Sequence, residues 1–302
     1  MHRSMLSTLA LVAALSGAVP ASAQSAAPEG SDPALRAMLP AKIRDAGVIR
    51  VGTDPHNAPY SFYGPDNSTL IGLEHDLVAV MSKKLGVTFQ FNPAQFASII
   101  TAVQADRFDM GISAFGDFEK REKIVDEIDY THEGTGLIVA AGNPLHINKL
   151  ADSCGHRAAA VQGSIPLELL NKQSGLCPAD KPLQIQQFPT GDQTVLAVRS
   201  GRADMLMDTY GVTAYELANQ PANAGGQKLE LIPGKQYAVG YQAMIVGKDK
   251  PQLRDAVQAT LQAMVKDGTY AAAFKKWGLS DNMLETITVN DAARFADYMK
   301  LD

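Results

Sequence analysis

The stretch ITAVQADRFDMGIS, residues 100–113, has a near-copy further along in VLAVRSGRADMLMD, residues 195–208. Ala102, Val103, Arg107, Asp109 and Met110 recur as Ala197, Val198, Arg202, Asp204 and Met205. Each copy reads as the end of a helix, a tight polar turn and a strand. The repeat predicts two similar halves. It also sets Ser113 and Asp208 at equivalent places, at the carboxyl end of a strand, where open α/β sheets bind ligands.

The surrounding sequence fits. VIRVGT, from Val48, and VTFQF, from Val87, are β-branched or aromatic runs. Between them, EHDLVAVMSKKLG puts Leu77, Val80, Met81 and Leu85 on one helical face and ends on Gly86. Strand alternating with helix predicts a parallel sheet with helices on both faces. AAGNP, residues 140–144, and YAVGYQAM, residues 237–244, bracket a central block. The long amphipathic helix QLRDAVQATLQAMVKDG follows, with Leu253, Val257, Leu261, Met264 and Val265 on one face. The block is therefore expected to be a second lobe, residues 143–238, inserted into a first lobe of residues 41–140 plus 243–285. Two crossing strands would form a hinge, which lets two lobes close on a ligand.

The 302 residues are enough for two domains, and at 46% hydrophobic a full core is expected. The net charge is −5, with no basic block of the kind that binds nucleic acid. Residues 1–23 read as a signal peptide: His2 and Arg3, an apolar run from Met5 to Val19, then Ala21-Ser22-Ala23 as cleavage site. The alternative is an N-terminal membrane anchor, for which the run is short. Cleavage after Ala23 would remove Arg3, taking the charge from −5 to −6, and leave an exported, periplasmic chain. An oxidising compartment allows Cys154 and Cys177, the only two cysteines, to join; two unpaired buried thiols are the alternative. No metal or cofactor is expected.

These segments, in this order, resemble the periplasmic solute-binding proteins of polar amino-acid ABC importers, bacterial extracellular solute-binding protein family 3. GTDPHNAPYSF is similar to the family's first strand and loop, and IGLEHDLVAVMSKKLG to its G-F-D-x-D-L helix. GISAFGDFEKREKIVDEIDY resembles its S-G-M-T-x-T-x-E-R-x-x-x-V-D-F segment. AVQGSIPLELL and VLAVRSGRADMLMD are similar to second-lobe motifs, and VKDGTYAAAFKKWGL to the family's ending. The resemblance spans roughly Ala41 to Leu279. It implies an α/β fold of two Rossmann-like lobes on a two-strand hinge, like type II periplasmic binding proteins.

The resemblance assigns roles. Arg121 would grip a ligand α-carboxylate, which a planar guanidinium matches bidentately. The alternative is a solvated arginine in the charged run EKREK. Amides around Gly163, Ser164 and Ile165, where a helix begins, would bind the same carboxylate; Ser164 could equally just cap that helix. Asp208 would accept from the α-ammonium, unless it only starts a turn. Phe96 would stack on the ligand, or else is a core phenylalanine. Asp54 and the backbone of Ser113, Ala114, Phe115 and Gly116 are further cleft candidates.

Asn57 stands where an aromatic is usual, and Gly116 where Ser or Thr often supplies a hydroxyl. Ala114 replaces a glycine or serine. No acid is evidently dedicated to a cationic side chain, although Glu74, Asp54 and Asp117 could serve; the ligand is read as a polar amino acid or a derivative. The reading is a monomeric binding protein, not an enzyme. It would capture a small zwitterion and deliver it to inner-membrane permease subunits. An exported cyclohexadienyl dehydratase on the same scaffold is the rival, with Glu119, Glu133 or Glu168 as its acid. His56 and His132 read as lone histidines without Asp or Ser partners. A third possibility is a sensory partner of a membrane receptor. The tail after Leu279 reads as a strand and a short helix without an assigned role.

Overall fold

The computed structural model describes residues 28–219, 225–234, 236–295 and 301. The expected signal peptide lies outside them. Two short helices, α1 (Pro33–Met38) and α2 (Ala41–Ala46), lead into β1 (Val48–Thr53). A small antiparallel sheet follows, made of β2 (His56–Asn57), β3 (Ser61–Tyr63) and β4 (Leu70–Ile71). Helix α3 (Leu73–Leu85) buries Leu77, Met81 and Leu85 completely, and Gly86 ends it at φ 64°. Each such side chain contributes about 2 kcal/mol by leaving water. That outweighs the marginal stability of an isolated helix this short.

Strand β5 (Thr88–Pro93), helix α4 (Phe96–Gln104), strand β6 (Met110–Gly116), one turn of helix α5 (Glu119–Glu122) and the long strand β7 (Val125–Ala140) come next. The second half repeats the plan with β8 (Arg157–Val161), α6 (Ile165–Ser174), β9 (Gln184–Phe188), α7 (Gly191–Arg199), β10 (Met205–Thr209) and α8 (Tyr210–Ala218). The short β11 (Leu229–Leu231), the long β12 (Tyr237–Gly247), α9 (Pro251–Asp267) and α10 (Thr269–Lys276) complete it.

The strand order is β5-β1-β6-β12-β7-β10-β8-β9, with β11 added on β7. In the first lobe β5, β1 and β6 are parallel; in the second β9, β8 and β10 are. The antiparallel pair β7 and β12 joins them as a two-strand hinge. The sequence repeat has a matching physical cause in each lobe. Asp109 accepts from the Arg50 amide and guanidinium at 2.8–3.0 Å, and Asp204 does the same for Arg157 at 2.5–3.1 Å. In both halves this carboxylate, just before one strand, pins the start of its parallel neighbour.

The apolar core divides accordingly. One cluster holds Ile49, Met81, Ile112, Tyr130, Leu261 and Phe274 around the first lobe; another holds Leu137, Leu169, Leu170 and Met207 in the second. The first-lobe core also takes in Leu35, Leu39 and Ile287, at the two ends of the described chain. The tail contributes an isolated antiparallel bridge, Val289 to Ile128, and two short 3-10 turns, Ser280–Asn282 and Ala292–Phe295. Among the described residues no helix is long and apolar enough to cross a membrane.

Cys154 and Cys177 form a disulfide with Cα atoms 5.4 Å apart and a separation of 23 residues. Closing such a loop constrains the unfolded chain. Replacing both cysteines with serine should lower the unfolding free energy by about 3 kcal/mol in urea titration without reductant; an unchanged midpoint would contradict this.

Candidate functional site

The carboxyl ends of β1, β6, β8 and β10 meet the hinge strands around one cavity. It is lined from the first lobe by Asp54, His56, Asn57, Phe96, Ser113, Ala114, Gly116 and Arg121. The second lobe supplies Val161, Ser164, Ile165, Pro166, Gly191, Asp208 and Thr209, and the hinge Glu133, Gly134, Thr135, Ala238 and Gln242. Ten of the twelve residues expected at the site are thus brought together. Phe115 and Gly163 do not line it. The Phe115 ring is fully buried and stacks behind Phe96, with centroids 4.8 Å apart, so that Phe96 keeps its other face for the cavity. Gly163, at φ 77°, sits where the lobes touch; a Cβ there would lie 3.5 Å from Ala97.

Arg121 is buried, not solvated, with 3% of its side chain exposed. Its Nη1 donates to the Gly116 carbonyl at 2.9 Å and lies 3.5 Å from Glu127 Oε1. The guanidinium stands 4.5 Å from the Phe118 ring centroid. Nearby amides are less available than expected. Ala114 adopts φ 45°, and its N–H donates to Glu74 Oε1 at 2.7 Å. Ser164 caps α6, taking the Leu167 amide at 3.3 Å, while its own N–H donates to Val161. Pro166 has no N–H, which leaves the Ile165 amide for an anion. The Ser113 hydroxyl accepts from the Asp54 amide at 3.1 Å and keeps its own proton to donate.

On the second lobe Asp208 is partly buried and accepts from the Thr209 amide at 2.7 Å. Burial pushes its carboxyl up to about 6, against that hydrogen bond. A carboxylate there lacks solvation that a cation would restore. Burial likewise pushes Glu133, on β7, up to about 7. Both its oxygens are engaged, one by Tyr60 of the first lobe and the other by the Gly211 amide of the second.

Other expectations are corrected. His56 is not a lone histidine: its Nδ1 lies 2.7 Å from Asp54 Oδ1, a contact that, with Asp192 across the cleft, raises its pKa. His132 sits half-buried in the hinge, and burial lowers its pKa. Glu74 and Asp117 do not face the cavity. Glu74 is fully buried in the first lobe, where it holds Ala114 and Tyr130, and Asp117 is 1% exposed and accepts from the tail amide of Asp291. Of the three candidate acids for catalysis only Glu133 lines the cavity; Glu119 and Glu168 are exposed. Gln242, Thr135 and Glu127 were missed. A signal for Glu127 existed: it stands where the quoted V-D-F motif has phenylalanine.

Two lobes presenting opposite charges across a hinged cavity define a solute-binding protein. The family model described as bacterial extracellular solute-binding proteins, family 3, matches residues 49–280, and the chain belongs to that family. It is similar to the arginine-binding protein ArgT of Corynebacterium glutamicum, 28% identical over 264 residues, covering 86% of this chain and 83% of ArgT. Among solved structures, an ancestral arginine-binding protein bound to arginine matches with TM-score 0.69 and 28% identity, over 76% of this chain and 98% of that one. The ancestral amino acid-binding protein AncCDT-1, a precursor of cyclohexadienyl dehydratase, matches with TM-score 0.67 and 26% identity, over 78% and 97%.

The site is built at a cost in stability. Asp208 has a raised pKa in the folded chain, so the native state holds its proton between the unfolded value of 3.8 and about 6. Its contribution therefore falls as pH rises through that window and stays unfavourable above it. Asp208→Asn should stabilise the ligand-free protein at pH 7.5 by about 1–2 kcal/mol, with little effect at pH 4, read by urea titration at both pH values. A destabilised variant at pH 7.5 would contradict the assignment.

Proposed function

We propose that the protein is an exported, periplasmic binding protein. It would capture a zwitterionic amino acid between its lobes, residues 41–140 plus 243–285 and residues 143–238, and present the closed form as a monomer to ABC permease subunits. The observation that carries this reading is the pairing of Arg121 and Asp208, one from each lobe, on one cavity. Arg121 takes the α-carboxylate, assisted by the Ile165 amide and the Ser113 hydroxyl. Asp208 takes the α-ammonium. Neither lobe alone holds both ends, so occupancy is coupled to closure.

The ligand's side chain is cationic in this reading. After the two poles are matched, Asp54 adds a further carboxylate to the lining. The Phe96 face suits a planar guanidinium. L-Arginine is the first candidate, and the names of the similar proteins support it. The geometry does not favour the dehydratase, because Glu133 has Tyr60 and Gly211 on its two oxygens, not a free proton facing the cavity.

A thermal-shift screen of amino acids tests this. L-Arginine at about 100 times its dissociation constant should stabilise the fold by about 2.7 kcal/mol, and Arg121→Ala should abolish the shift. Absence of a shift with every amino acid would overturn the reading. Affinity should also fall as pH drops below about 6, where Asp208 takes a proton and loses the charge that holds the ammonium. Calorimetry at pH 5 and pH 7.5 reads this; equal affinities would contradict the role of Asp208. Incubation with prephenate or arogenate should give no ultraviolet-absorbing product.

A further inference from the structure

Arg121 sits on a helix of four residues, between exposed Lys120 and exposed Lys123 and Ile124. One helical turn does not hold itself in water. The guanidinium is therefore aimed by what packs around it. Behind it stands Glu127, fully buried, with Oε1 3.5 Å from Nη1 and Oε2 accepting from the Phe118 amide at 3.4 Å.

Glu127 is gripped by the tail. Its backbone N–H donates to Asn290 Oδ1 at 2.9 Å, and Asn290 N–H donates to its carbonyl at 2.9 Å. Asn290 adopts φ 54°, a left-handed conformation that asparagine tolerates better than most residues. The residues on either side of it hold the same segment. Asp291 N–H donates to Asp117 at 3.1 Å and Ala292 N–H to Glu122 at 2.9 Å. Thr288 is bonded to Asp129 through both its carbonyl, at 3.0 Å, and its hydroxyl, at 2.7 Å. The turn carrying Arg121 is thus held at Glu127, at Asp117 and at Glu122 by three consecutive tail residues, 290–292, while Thr288 holds Asp129 and Val289 bridges Ile128.

Glu127 departs from the family motif, and the tail lies beyond residue 280, where the family match ends. We propose that Glu127, locked by Asn290 of the tail, is the positioning residue that aims Arg121 at the ligand's carboxylate. The tail is then part of the binding machinery. Burial raises the Glu127 carboxyl pKa well above its ordinary value, while Arg121 lowers it and Asp117 raises it again.

The proposal's affinity arm rests on the amino-acid-binding reading above; its spectroscopic arm does not. With L-arginine as probe in calorimetry, Glu127→Ala should weaken binding about tenfold, as for loss of a hydrogen bond to a charged group. Asn290→Gly, which keeps the backbone conformation, should weaken it in the same direction. The double variant should lose no more than Glu127→Ala alone, because the two act through one another. Glu127→Gln, which keeps the acceptor, should restore most of the affinity.

In the ligand-free protein, the Arg121 Nε–H resonance is assigned by its disappearance in Arg121→Lys. It should exchange with water faster in Glu127→Ala and in Asn290→Gly. Variants that melt lower but leave this resonance unchanged would overturn the proposal. If wild-type protein binds no amino acid while the resonance responds as described, the ligand assignment fails and the positioning role stands.

Discussion

The structure depends on keeping two opposite charges close to one cavity without letting them neutralise each other. Arg121 and Asp208 are carried by different lobes, and each is withdrawn from bulk water. A direct ion pair between them would close the lobes on nothing. Instead, each is held by its own lobe. Arg121 has the Gly116 carbonyl, Glu127 and the Phe118 ring. Asp208 has the Thr209 amide. The desolvation left on Asp208 is relieved best by a molecule that carries both charges at the right spacing.

The hinge obeys the same logic. Glu133 lies on β7, and its two oxygens take a donor from each lobe, Tyr60 and Gly211. A buried carboxyl with one partner per lobe ties the lobes together at the base of the cavity. At the rim the His56 carbonyl lies against Gly191 of the second lobe, while the His56 ring is held by Asp54 of its own lobe.

The fold was largely legible because its causes are local. Helical periodicity, terminal glycines and β-branched runs recur in two copies, and the repeated Asp109 and Asp204 do the same job in each lobe. Arg121, Asp208, Phe96 and Ser164 were legible through motifs whose spacing the fold preserves. What escaped is contact between residues far apart in the chain. Glu127 meets Asn290 across 163 positions, and no window of sequence holds both. Phe115 was misjudged because the positive φ at Ala114 breaks the alternation of a regular strand. His56 seemed alone because an extended loop brings back its neighbour Asp54, two residues away, in a way that residue types do not reveal.

The most direct test of the central claim is a crystal structure of the mature protein grown with L-arginine. The account predicts a closed form in which the Arg121 guanidinium meets the α-carboxylate and Asp208 meets the α-ammonium, both within hydrogen-bonding distance. A bound amino acid that touches neither side chain, or one whose poles are reversed, would contradict it.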